Sequence, residues 1–199
     1  MSVSSVRSQL RSQLRESVST AILEAAEDLI AAKGLAGAPL LQIAKRAGVA
    51  VGTLYNYFED RDALIRALFE MRRATLRPQV RAAVGKGAEL PFEDRLRGFV
   101  RDLFEVYETH RKFIKVAIET EHLRLSSSTT SQDIHAAIAE LVKSGVKERA
   151  IAAAHAEILP LVIAGSLRAV VLKRIAENKK LAAADADALV TIALDGARR

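Results

Sequence analysis

The sequence predicts an all-α fold, and three observations carry that prediction. Apolar residues recur with a period near 3.6 along almost the whole chain. Valine, isoleucine and threonine fall on that same period instead of alternating as they would in strands. Glycine, proline and small polar residues stand where such helices would stop and start. With 199 residues, half of them hydrophobic and 27% charged, the chain is long enough to bury a core and too apolar to be disordered.

The elements follow in order. Val18, Ile22, Ala25, Ala26, Leu29 and Ile30 form one stripe that closes at Lys33-Gly34. A short helix from Leu40 to Ala47 stops at Gly48, and another from Val51 to Phe58 stops at Glu59-Asp60. Asp60 can cap a longer helix carrying Leu64, Ile65, Leu68 and Phe69. Pro78, Gly85, Gly87 and Pro91 place a hinge between about residues 77 and 91. Helices then run from Phe92 to Tyr107 and from Arg111 to about Leu125. After the polar run Ser126–Ser131 come a stripe through Ile134, Ile138, Leu141 and Val142, the helix Ile158–Ile175, and a last helix near Asp185–Ala197. That makes about nine helices.

Charge and composition narrow the partners. The net charge is +6, which raises the expectation of a polyanion without deciding it. Residues 1–15 carry Arg7, Arg11 and Arg15 at four-residue spacing and no acid. Such a face suits nucleic acid, or is a solvated basic lead-in. Cysteine is absent, so disulfides, thiol nucleophiles and cysteine zinc sites are excluded. The N-terminus lacks the apolar run of a signal peptide. The stretch Ile158–Val171, interrupted by Ser166 and Arg168, is too short to span a bilayer. The expectation is a soluble cytoplasmic protein without a membrane partner.

Residues 39–58 carry the strongest functional signal. Ile43, Ala44 and Ala47 face inward, with Ala44 small enough to admit a second helix closely. Gly48 permits a positive φ at the turn, and Val49 fills the space beneath it. Gly52 lets backbone approach another surface. Thr53, Tyr55, Asn56 and Tyr57 offer hydroxyls and an amide, groups that suit phosphates and base edges. Two short helices at a tight turn also occur inside ordinary bundles.

The pattern Ile43-Ala44, Ala47-Gly48-Val49, Gly52-Thr53-Leu54-Tyr55-Asn56-Tyr57-Phe58 and Arg61-Asp62-Ala63-Leu64 resembles the DNA-binding domain of the tetracycline-repressor (TetR) family. The resemblance covers about Glu16 to Leu76. It implies a three-helix domain over residues 16–76 with a helix-turn-helix at 39–58, followed by an effector-binding and dimerisation domain over 77–199. It implies that Val51 to Tyr57 lies in the major groove, with Thr53 and Tyr57 on phosphates or bases, Tyr55 and Asn56 at contact positions, and Arg61 clamping a phosphate. Four positions depart from the pattern. Val51 and Arg61 stand where many members have lysine, Pro39 where a hydroxyl usually caps the helix, and Leu41 where some members have a polar residue. The expected DNA contacts are therefore Val51, Gly52, Thr53, Tyr55, Asn56, Tyr57 and Arg61. The implied partners are an inverted-repeat operator in double-stranded DNA, a second copy of the chain, and a small-molecule effector.

The second half gives weaker signals. Phe99, Leu103, Tyr107, His110, Phe113 and His122 mix apolar and polar groups along two helices, as an apolar cavity with polar anchors would, although core packing explains most of them too. The helix Ile158–Ile175 is apolar nearly all round, which favours burial against a partner subunit over burial at the centre of a monomer. Ile158, Leu161, Val162, Gly165, Ala169, Leu189 and Ile192 are the expected dimer contacts. Glu119 and His122 form a single Glu-x-x-His with no second copy, so a di-metal site is not expected. No Gly-x-Ser-x-Gly elbow or glycine-rich phosphate loop occurs, and neither an enzyme nor a cofactor is expected. The alternative reading is an all-α enzyme or metal-binding helical protein with an incidental hairpin.

Overall fold

A computed structural model describes residues 3–84, 86–120 and 129–196. Among these the fold is all-α, with nine α-helices and one 3-10 turn. They are α1 (Val3–Lys33), α2 (Leu40–Arg46), α3 (Val51–Tyr55), α4 (Arg61–Val84), α5 (Phe92–Thr109), α6 (Arg111–Glu119), α7 (Thr129–Lys147), α8 (Ile158–Ala176) and α9 (Ala183–Asp195). No described helix is long and apolar enough to cross a membrane.

Local chemistry accounts for the ends. At the close of α2, Gly48 takes φ 71°, the Val49 N–H donates to the Ala44 carbonyl at 3.0 Å, and the Gly48 N–H donates to Lys45 at 3.2 Å. That pair of bonds is the Schellman closure, and it needs a residue tolerant of the left-handed region. Asp60 caps α4 as expected, its carboxylate accepting from the Ala63 N–H at 2.6 Å.

Three boundaries differ from the sequence reading. The helix begins at Val3, so the basic lead-in is the first part of α1. The second helix of the hairpin ends at Tyr55, because Tyr57 and Phe58 turn back to bond the Leu54 carbonyl. And α4 passes straight through Pro78 to Val84. Proline gives up one helical hydrogen bond there, but Leu76, Val80 and Ala83 on either side are buried and α4 packs on α5 and α7. Tertiary packing holds the helix that local propensity would end.

The first four helices form a bundle around Ile22, Ile30, Ile43, Leu54, Leu64 and Leu68, all at most 1% exposed. The remaining helices pack around Leu96, Phe99, Leu103, Phe104 and Ile138. The two parts are joined by more than α4. Helix α6 lies against α1, and the Phe69 and Phe113 rings meet edge-on at 4.9 Å. Buried Glu27 on α1 pairs with Arg72 on α4 at 2.6 Å; burial pushes its carboxyl above the usual range despite that partner.

Candidate nucleic-acid interface

Helix α3 is anchored from beneath by Leu54, fully buried, and by Phe58 just beyond it. These fix the rotation of a five-residue helix that could not persist alone. What they leave outward is the predicted contact set. Val51, Gly52, Tyr55 and Asn56 are exposed, while Thr53 and Tyr57 are half-buried. Tyr55 stands 52% exposed, so its ring belongs to the outer face and not to the core. Beyond its own helix backbone and chain neighbours, no described atom lies within 4 Å of a side chain begun at Gly52, so internal packing does not require glycine there. Leu41, Gln42 and Lys45 on α2 are exposed as well.

Two arginines alter the expected picture. The Arg61 guanidinium folds inward and donates to the carbonyl of Leu35 and, at 3.1 Å, to that of Ala38. Its Nε is buried without a hydrogen-bond partner among the described residues. The structure thus places Arg61 on the loop after α1, where it bonds two backbone carbonyls, that of Leu35 also accepting from the Ala38 N–H at 3.4 Å, and not outward as a phosphate clamp would stand. Arg15, absent from the expected contact set, lies over the Tyr57 ring with its guanidinium carbon 5.7 Å from the centroid. The spacing of Arg7, Arg11 and Arg15 was the signal that could have included it.

Residues 22–68 match the model of the bacterial regulatory proteins of the tetR family. That match spans the later part of α1, all of α2 and α3, and the start of α4. It is 31% identical over 86 residues to the HTH-type transcriptional regulator BetI of Cronobacter sakazakii, covering 43% of each chain. It is 49% identical over 49 residues to the uncharacterised HTH-type transcriptional regulator YvdT of Bacillus subtilis, covering 25% of each. These matches span less than half the length of the curated relatives. Over most of its length the chain shares its fold with a TetR-like regulator from Rhodococcus sp. RHA1, with TM-score 0.70, 22% identity, and coverage of 90% and 94% of the two chains. It matches the fatty acid degradation regulator FadR of Bacillus halodurans equally well in fold, with TM-score 0.70, 24% identity, and coverage of 89% and 93%.

Elsewhere in the chain the expected sites separate. Ile158, Leu161, Val162 and Ile192 are 59%, 56%, 45% and 75% exposed, and Gly165 and Ala169 share that open side of α8. Leu189 differs: it is buried by its own chain and lines a groove of about 540 Å³ between α8 and α9. That groove also includes Ile158, Val162, Ser166, Ala188 and Ile192. Arg174 Nε donates to Asp185 at 3.0 Å and ties the two helices at one end.

The expected effector residues behave as a packed cluster with a polar margin. Phe99, Leu103 and Phe113 are buried in the core. Tyr107 keeps an exposed edge, yet burial pushes its phenol up to about 12. His110 joins α5 to α6, 3.3 Å from the Gln79 amide oxygen on α4. Burial first, then the Arg72 charge, lowers its pKa below the usual imidazole value. His122 lies outside the described residues.

A charged link joins this cluster to the helix-turn-helix, and sequence reading missed it. Lys112 on α6 donates to Asp28 on α1 at 2.7 Å, and Arg46 on α2 donates to the other Asp28 oxygen at 2.6 Å. Hydrogen bonds from Arg46 and then Lys112 hold the Asp28 carboxyl below its ordinary range. Partners 18 and 84 residues apart in sequence leave no local pattern to find.

Proposed function

We propose that this chain is a homodimeric transcriptional repressor that reads an inverted-repeat operator in double-stranded DNA and is released by a mostly apolar small molecule. One observation carries the reading: α3 presents Val51, Gly52, Tyr55 and Asn56 outward from a rigid base of Ile43, Leu54 and Phe58. A short helix locked by its buried side and bare on its outer side is what insertion into a major groove requires. The open apolar side of α8 and α9 supplies the second half of the reading, because a two-fold pairing through it would set two α3 helices at a fixed separation.

Release would act through α6 as well as α4. A ligand lodged among Phe99, Leu103 and Phe113, with Tyr107 and His110 as polar anchors, would displace α6. Lys112 and Asp28 tie α6 to α1, and Asp28 ties α1 to α2. Such a ligand shifts the population only by as much as it prefers the non-binding arrangement.

Selection from a random duplex library followed by footprinting tests the reading. The expected site is an inverted repeat with half-site centres about 34 Å apart or somewhat more; a single short asymmetric site would contradict it. On that site Asn56→Ala should cost about 1–3 kcal/mol of specific binding and leave the salt slope nearly unchanged. Equal weakening on operator and random duplex would remove Asn56 from the reading role. Ligands that raise the melting temperature should lower operator affinity. If they never do, the coupling is wrong.

A further inference from the structure

The first turns of α1 reach beyond the packed bundle. Val18 is the first residue along α1 to lean on the core, while residues 6–17 are exposed throughout. At 1.5 Å per residue this free stretch projects about 18 Å. Two stripes run along it. Val6, Leu10 and Leu14 extend the line of Val18 and Ile22 outward, uncovered by any part of the described chain. Arg7, Arg11 and Arg15 lie one residue further round, and the first acid is Glu16.

Like charges one helical turn apart repel, so a bare row of arginines is a cost to the free helix. Internal carboxylates do not offset it: neither Arg7 nor Arg11 has an ion-pair partner among the described residues. A polyanion would turn that cost into a gain, and the guanidinium fork suits phosphate oxygens. The position of the row decides which polyanion. Arg15, its innermost member, sits over Tyr57, directly after Tyr55 at the end of α3 and its C-cap Asn56. The row therefore starts at the edge of the surface proposed for duplex DNA and runs outward from it.

We propose that residues 6–17 of α1 are a second DNA-contacting element, laying Arg7 and Arg11 on phosphates that flank the bases read by α3. This rests on the DNA-binding reading above, and adds affinity without adding sequence preference. A lipid surface is the competing partner, since a helix with adjacent apolar and basic stripes also suits an anionic bilayer.

The test uses the full chain, the double variant Arg7→Ala/Arg11→Ala and its conservative counterpart Arg7→Lys/Arg11→Lys. Binding to a random-sequence duplex of about 40 base pairs is followed by fluorescence anisotropy across a salt series, where each lost phosphate contact removes about 0.9 from the slope. The alanine variant should lose about two slope units for each α1 engaged and bind at least tenfold more weakly near physiological salt. The lysine variant should keep both. An unchanged slope in the alanine variant, with the wild type bound, overturns the proposal and leaves the helix-turn-helix reading standing. A wild type that binds no duplex overturns that reading instead. Sedimentation with vesicles of equal phosphatidylglycerol and phosphatidylcholine covers the competitor: loss of vesicle binding in the alanine variant, with DNA binding intact, assigns the face to lipid and overturns the proposal.

Discussion

The α3 face and the α8–α9 face are both exposed, yet they are built oppositely. On α3, one fully buried leucine and a neighbouring phenylalanine hold out a mixed surface of valine, glycine, tyrosine and asparagine. On α8 and α9 the outward residues are aliphatic, with Ile158, Leu161, Val162 and Ile192 each about half exposed or more. The first surface gains by meeting polar and charged groups and loses little when left in water. The second is a contiguous apolar patch that water penalises until something covers it. The α3 face can therefore stand alone in water, whereas the partner we propose for the α8–α9 face would be a permanent one.

The largest effect should come from the second face. Ile192→Asp would place an unpaired charge at the centre of the proposed two-fold contact, once on each side, at about 3–5 kcal/mol for each charge left buried. Sedimentation velocity should show a dimer for the wild type at micromolar concentration and a monomer for the variant. Gly165→Leu should weaken association less. Beyond its own helix backbone and chain neighbours, no described atom lies within 4 Å of a side chain begun there, so the loss expected is one of contact with the proposed partner. A wild-type monomer, or an Ile192→Asp variant with unaltered association, would move the dimer contact elsewhere or abolish it.

These two faces were not equally legible. The recognition face is local: Ala44, Gly48, Leu54 and Phe58 lie within fifteen residues, and the chemistry of the turn specifies their places. The helix count and the α8 stripe were likewise readable from period alone. What the sequence hid was contact at a distance. Nothing near Arg61 announces that its guanidinium belongs to the Leu35 and Ala38 carbonyls. Nothing near Asp28 announces Lys112. Pro78 misled for the same reason, because burial of Leu76 and Val80 outweighs its helix-breaking tendency. The polar margin at Tyr107 and His110 falls between these cases, since its residues were found but Gln79, the partner of His110, was not.

Adjacent residues on α3 sharpen the contrast within one helix. Leu54→Ala empties a fully buried site and should cost about 2–5 kcal/mol of stability, seen as a lowered melting temperature. Tyr55→Ala should change stability by less than about 0.5 kcal/mol and impair DNA binding instead. Arg61→Ala comes next in size: removing the donor shared by the Leu35 and Ala38 carbonyls should cost about 1–3 kcal/mol while leaving the salt slope of DNA binding unchanged. A slope reduced by about one unit at undiminished stability would return Arg61 to the phosphate backbone.

The smallest effect belongs to the seam between the two regions. His110 sits where α5 meets α6, beside Gln79 and under the influence of Arg72. Burial and the Arg72 charge lower its pKa in the folded chain, so the unfolded chain takes up a proton at a higher pH than the folded one does. Between those two values the unfolded state binds more protons, and stability rises with pH. The contribution is therefore full above about pH 6.5, the ordinary imidazole value, and is lost as pH falls through the folded value. Melting temperatures of the wild type should decline over that interval more steeply than those of His110→Asn, which cannot titrate. The difference should be modest, since the ring is only partly buried, and it should widen with an effector seated against α6 that excludes water from the ring. Parallel pH profiles for the two proteins would show that His110 stays solvated and that the α5–α6 junction is not the polar margin of a ligand site.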